Sequence, residues 1–140
     1  MEIASPVAGY TVRAVLGHGG FSTVYRAVQS SMDREVAIKI DHRVLLVDAD
    51  RARFFREVNA AGQVSGHPHV VDIHDAGVTS DGRPYLVMEL CPAGSLADRV
   101  RREGPLGAAD VTTIGVAIAD ALAAAHRLGI VHRDVKPANI

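Results

Sequence analysis

The chain has 140 residues, 48% of them hydrophobic and 22% charged, with fifteen basic and sixteen acidic side chains that leave a net charge of −1. That length suits a single domain with a sizeable core, and the composition is that of a globular rather than a disordered chain. The balanced charge excludes a global electrostatic footprint for nucleic acid or an anionic membrane, and the single cysteine, Cys91, excludes an intrachain disulfide and suits a reducing, cytoplasmic setting.

Residues 1–6 lack the basic start and apolar run of a signal peptide. Residues 10–16 and 22–28 alternate apolar and polar side chains and predict two strands. Between them lies Gly17-His18-Gly19-Gly20-Phe21, where glycines let backbone N–H groups approach phosphate oxygens without a Cβ in the way. An unliganded hairpin turn would have the same look. The spacing Gly17-x-Gly19-x-x-Ser22 also approximates a dinucleotide fingerprint, but that motif opens a helix, and the period-two pattern after Phe21 predicts a hairpin instead.

Residues 34–40 predict a third strand with Val36, Ile38 and Ile40 on one face and Ala37 and Lys39 on the other. Against a nucleotide, Ala37 would lie on the adenine ring while Lys39 reaches the phosphates; an isolated lysine on a strand more often snorkels to water. Residues 47–61 predict a helix with an acidic first turn and an inward face of Phe54, Val58 and Ala61. Glu57 borders that face, with Arg53 four residues earlier as its ionic partner, and the small Ala61 would leave the helix loosely seated. His67, His69 and His74 lack a diagnostic metal spacing and read as structural or surface residues.

Residues 70–78 and 84–90, joined through Asp81-Gly82, predict a second hairpin, and Cys91-Pro92-Ala93-Gly94 reads as a linker. A short capped helix is expected over 95–100, and a long one over 111–128, capped by Asp110 and closed by Gly129. The latter is apolar on most sides and calls for a core around it, while Asp120 interrupts the longest apolar stretch, so no membrane-spanning segment is expected. The last residues place Asp134, Lys136 and Asn139 within six positions. Such a set can accept a hydroxyl proton, neutralise charge on a moving phosphoryl group and hold magnesium, or it can be a solvated turn.

Four stretches together resemble protein kinases. His132-Arg133-Asp134-x-Lys136-Pro137-x-Asn139 is similar to the kinase catalytic loop, Val36-Ala37-Ile38-Lys39 matches the kinase lysine motif, and Gly17-x-Gly19-x-x-Ser22-x-Val24 resembles the nucleotide-covering loop with serine for the third glycine. Met88-Glu89 followed by Gly94-Ser95-Leu96 resembles the hinge between lobes. The resemblance implies an α+β, protein kinase-like fold: a five-stranded N-lobe with one helix over residues 1–90, then the hinge and a partial helical C-lobe over 91–140. It implies an ATP-dependent serine/threonine kinase acting on a protein substrate, with ATP and Mg2+ bound.

By the same resemblance Asp134, Lys136, Lys39 and Asn139 are catalytic, Asn139 holding the metal. Leu16, Gly17, His18, Gly19, Gly20, Phe21, Ser22, Val24, Ala37, Lys39, Glu57, Met88, Glu89 and Cys91 would bind nucleotide. Glu57 would align Lys39, Arg133 would dock a phosphorylated activation loop, and Lys136 would mark serine/threonine rather than tyrosine substrates. No Asp-Phe-Gly segment follows within these residues, so the 140-residue chain is expected to transfer little or no phosphate by itself. A regulatory nucleotide-binding fragment and a non-enzymatic interaction module that docks a partner on residues 111–128 are the alternatives.

Overall fold

The computed structural model describes residues 5–140, and the reading made for residues 1–4 lies outside them. The chain divides into two compact units: the described part of Met1–Gly62 with Asp72–Leu90, and Gln63–Val71 with Cys91–Ile140.

The first unit is a five-stranded antiparallel sheet in the order β1 (Tyr10–His18), β2 (Ser22–Gln29), β3 (Arg34–Asp41), β5 (Pro84–Glu89) and β4 (Ile73–Val78). One face buries Val12, Ala27, Val36, Ile38, Ile40 and Val87, with Val7 and Tyr10 closing one end and Tyr25 and Tyr85 packed alongside. Alternation of β-branched residues along β3 creates this face; burying each such side chain contributes about 2 kcal/mol. The edge strands β1 and β4 are linked through side chains, because the Tyr10 hydroxyl donates to the Asp75 carboxylate at 3.2 Å.

Between β3 and β4 runs α1 (Asp48–Gly62), which opens on Asp48 and Asp50 and has no buried residue. Its lead-in is fixed better than the helix itself: Leu45 is buried and its N–H donates to the Gly82 carbonyl at 2.8 Å. Gly82 sits at φ +85° in the β4–β5 turn, where an added Cβ would meet Val44 Cγ1 at 2.9 Å. β4 begins three residues later than expected. His67 and Val70 N–H groups are taken by the Val64 and His67 carbonyls, so this stretch turns instead of extending, and Pro68 has no N–H to give a ladder.

In the second unit, the short capped helix expected over 95–100 is α2 (Leu96–Glu103), which runs three residues further, and Ser95 caps it in a reciprocal box with Asp98. α3 (Ala108–Arg127) starts earlier than expected and its N-cap is Gly107, without a side-chain cap bond. Asp110 lies inside the first turn and pairs with Arg99 at 2.6 Å. At the other end Gly129 takes φ +75°, and the Gly129 and Ile130 N–H groups return to the His126 and Ala125 carbonyls, a Schellman closure.

The 20 residues of α3 are long and apolar enough to cross a membrane by length and composition, a match the sequence reading did not find. Its Asp120 contacts His67 at 3.0 Å, and its apolar side shares a groove of about 350 Å³ with Leu96, Leu106 and Ile140.

Candidate functional site

In the first unit the glycine-rich segment is the β1–β2 hairpin, with Gly17 paired to Val24, His18 to Thr23, and the Gly19 N–H donating to the Ser22 carbonyl at 2.9 Å. An added Cβ at Gly17 or Gly20 would meet nothing within 4 Å, so the backbone here faces open space. Phe21 at the tip is 82% exposed. These are the conditions under which amide N–H groups can turn to phosphate oxygens.

Cross-strand register then builds the face that these glycines border. Lys39 stands opposite Val24 on β2 and Leu86 on β5, and Ala37 stands opposite Arg26 and Met88. Directly opposed residues project from the same side of a sheet, so Val24, Ala37, Lys39 and Met88 share one surface, on the side away from buried Val36, Ile38 and Ile40. Ala37 is buried and Lys39 is exposed. A small flat patch beside an exposed ammonium suits a planar base carrying a polyphosphate. Leu16 lies on β1 just before the glycines and is exposed. Glu89 has its N–H donated to the Asp72 carbonyl at 2.9 Å.

The structure does not bring Lys39 and Glu57 together. Both side chains are exposed, and among the described residues no ion pair joins them. The reason lies in the seating of α1, none of whose residues is buried. Arg43 grips the Asp41 carboxylate at 2.7 Å, and its guanidinium is held above its ordinary value by hydrogen bonding to Asp41, by the charge of Asp41, and by Glu57 and Asp50 of α1.

In the second unit the three chemistry-bearing residues of the last loop do converge. The Lys136 ammonium is 3.2 Å from the Asp134 carboxylate, and the Asn139 amide donates to that carboxylate at 3.1 Å and to the Asp134 carbonyl at 2.9 Å. The Asp134 N–H donates to His132 Nδ1 at 3.2 Å. Two backbone features shape the loop: Arg133 adopts φ +66°, rare for a non-glycine residue, and Pro137–Asn139 form a 3-10 turn. The turn is tied to α2, because the Leu96 N–H donates to the Ile140 carbonyl at 2.6 Å.

Hydrogen bonding from Lys136 holds the Asp134 carboxyl below the usual carboxylate range; slight desolvation opposes this, and Asn139, Lys136 and His132 reinforce it. Asp134 is consequently an exposed anion at neutral pH, able to accept a proton. Cys91 opens the second unit as an exposed residue whose carbonyl accepts from the Gly94 N–H at 3.2 Å.

Magnesium favours hard oxygen donors, few of them from protein, with waters and phosphate completing its octahedron. The side-chain carbonyl of Asn139 is such an oxygen, and the amide nitrogen of the same side chain is turned to Asp134. Among the described residues no group of three or more histidine, cysteine or acidic side chains could hold a metal, so a magnesium held by Asn139 would take its other oxygens from water and phosphate.

The sequence reading missed two residues that touch the glycine-rich hairpin. Thr23 is buried beneath it, with its hydroxyl 2.8 Å from His18 Nδ1 and 2.8 Å from His42 Nε2. The His42 N–H donates to the Phe21 carbonyl at 2.9 Å. The only available signal was the inward parity of Thr23 in β2.

Residues 10–140 match the family model described as the protein kinase domain. The chain is 49% identical over 136 residues to the serine/threonine-protein kinase PknK of Mycobacterium tuberculosis, covering 95% of this chain and 12% of that protein. It is 43% identical over 132 residues to PknE of Mycobacterium bovis, covering 94% of this chain and 23% of the relative. The kinase domain of Mycobacterium tuberculosis PknI superposes with a TM-score of 0.80 at 34% identity, over 98% of this chain and 56% of that one. The chain thus spans a minor part of these curated relatives and about half of the solved domain.

Proposed function

Because the chain belongs to the protein kinase family, we propose that it carries the nucleotide-binding and catalytic-loop elements of an ATP-dependent serine/threonine protein kinase. The observation that supports this most is the assembly of Asp134, Lys136 and Asn139 around one ionised carboxylate. In this reading the glycine-rich hairpin and Lys39 bind the phosphates of ATP, Ala37, Val24 and Leu16 contact adenine with Met88 behind it, and Glu89 and Cys91 lend main-chain groups to its edge.

The reaction moves one phosphoryl group. The serine or threonine hydroxyl oxygen bonds to the γ-phosphorus as the bond from that phosphorus to the β,γ-bridging oxygen breaks, and ADP leaves. Asp134 accepts the hydroxyl proton, and Lys136 offsets negative charge beside it. Asn139 would hold magnesium, which neutralises phosphate charge when bound. With little covalent work for the protein, positioning and electrostatics supply most of the acceleration. A reducing, cytoplasmic setting belongs to the same proposal, supported by the use of a single cysteine.

For the 140-residue chain by itself we propose nucleotide binding with little or no transfer, supported by its covering 56% of a related kinase domain. The test is Asp134→Asn in the protein expressed from its full reading frame, followed by transfer of labelled γ-phosphate to a serine/threonine protein substrate. Loss of a general base typically costs about 10²–10⁴-fold in turnover, with binding of a fluorescent ATP analogue retained. Turnover unchanged in the variant would refute the assignment of Asp134.

A further inference from the structure

The hairpin that would cover nucleotide is held from behind by a closed set of hydrogen bonds. His18 is the last residue of β1, Thr23 faces it on β2, and His42 lies one residue past the end of β3. Thr23 is opposite Ile40, on the buried side of the sheet, so these contacts lie on the opposite side from Lys39.

Directionality fixes the protons in the neutral form. The Gly20 carbonyl, 3.4 Å from His42 Nδ1, can only accept, so Nδ1 carries hydrogen. His42 Nε2 is then bare and accepts from the Thr23 hydroxyl at 2.8 Å, which leaves the Thr23 oxygen to accept from His18 Nδ1–H, also at 2.8 Å. The chain of bonds runs from His18 at the end of β1 through Thr23 and His42 back to the carbonyl of loop residue Gly20. A main-chain bond from His42 to Phe21 completes the hold.

We propose that His18, Thr23 and His42 are positioning residues that clasp the glycine-rich hairpin in its phosphate-covering shape and so set nucleotide affinity, an inference that rests on the nucleotide-binding reading above. The clasp tolerates one added proton and not two. A proton on His18 Nε2 leaves its Nδ1–H in place, and a proton on His42 Nε2 is accommodated if Thr23 turns its O–H toward a bare His18 Nδ1. With both rings protonated, two N–H donors face the Thr23 oxygen, its own O–H has no acceptor in the set, and two cations stand with ring centroids 5.3 Å apart.

Other charges nearby largely answer one another. Asp41 and Arg43 adjoin His42 and are paired together, and from α1, Glu57 and Asp50 act on Arg43. Lys39 projects from the other face of the sheet.

The experiment measures binding of a fluorescent ATP analogue with magnesium to the chain and to Thr23→Val, Thr23→Ser and the exposed-site variant His42→Ala, from about pH 7.5 to about pH 5.5, where histidine ordinarily gains its proton. Thr23→Val and His42→Ala are expected to weaken binding about 3- to 10-fold at the upper pH, the worth of a lost hydrogen bond or two. Thr23→Ser restores affinity, and only chains with the hydroxyl and both rings lose additional affinity in acid. Nitrogen NMR of the histidine rings without nucleotide is expected to show Nδ1–H tautomers at both rings, of which the His18 tautomer is lost in Thr23→Val while that of His42, held by the Gly20 carbonyl, persists. Equal affinity and an equal pH profile in wild type, Thr23→Val and His42→Ala would overturn the clasp and leave nucleotide binding standing. Failure of the wild-type chain to bind the analogue while the tautomers are seen would overturn the nucleotide reading and the positioning role with it.

Discussion

Tyr10→Phe should change not only how stable the sheet is but how that stability responds to alkali. Burial, and then the charge and hydrogen bond of Asp75, push the Tyr10 hydroxyl from 10.0 up to about 12. Above pH 10 the unfolded chain gives up this proton while the folded chain keeps it, so the stabilisation is complete below pH 10 and is lost as pH rises through the folded value. Each unit of separation is worth about 1.4 kcal/mol, giving a loss on the order of 2–3 kcal/mol across the window.

At neutral pH the variant loses one bond to a carboxylate, about 1.5 kcal/mol, at the low end because the exposed Asp75 regains water. Wild type is therefore the more stable protein at about pH 8, the two are equal near about pH 11, and the variant is more stable by about 1 kcal/mol near about pH 12. Urea unfolding followed by circular dichroism at each pH measures the difference directly, and subtraction cancels the titration of other groups. A difference that stays constant from about pH 9 to about pH 12 would refute both the burial of this hydroxyl and its bond across the sheet edges.

Two further perturbations address the core and the catalytic loop. Ile38→Ala, at a residue 1% exposed between β2 and β5, should destabilise the chain by about 2–5 kcal/mol in the same urea assay; a cost under about 1 kcal/mol would mean that this face is not the core. Lys136→Met removes the first cause of the lowered Asp134 value, so the carboxyl should titrate at higher pH, toward the ordinary carboxylate range. Since the basic form is lost as pH falls through that value, the variant should also lose Asp134-dependent function at less acidic pH. Carbon NMR of the Asp134 carboxyl reads the shift, and an unmoved titration would show that Lys136 does not hold this anion.

The parts legible in the sequence were those whose partners lie close along the chain. Asp134, Lys136 and Asn139 meet because five bonds of loop and one 3-10 turn suffice to join them, and Ser95 finds Asp98 because a helix start places them one turn apart. Strand β3 was legible for a related reason: alternation and the Val36-Ala37-Ile38-Lys39 string agree on which side chains turn inward, and burial follows that parity. The expected Asp110 cap failed because α3 begins three residues earlier, at Ala108, which puts Asp110 inside the first turn, where its carboxylate meets Arg99. A local cap pattern does not report that start, because Gly107 supplies no side-chain cap bond.

The same distinction explains why the two expectations about the glycine-rich loop fared differently. Its turn is decided by residues 17–22 and appears as a hairpin, whereas its support depends on His42, brought beside Thr23 by the register of β2 on β3. Glu57 shows the opposite outcome across a similar distance: family analogy pairs it with Lys39, yet a helix with no buried residue has little packing to fix its rotation. A salt bridge between exposed groups contributes at most about 1 kcal/mol, too little to draw in a loosely seated helix. What leaves α1 free of that pair is therefore its packing, since none of its fifteen residues is buried.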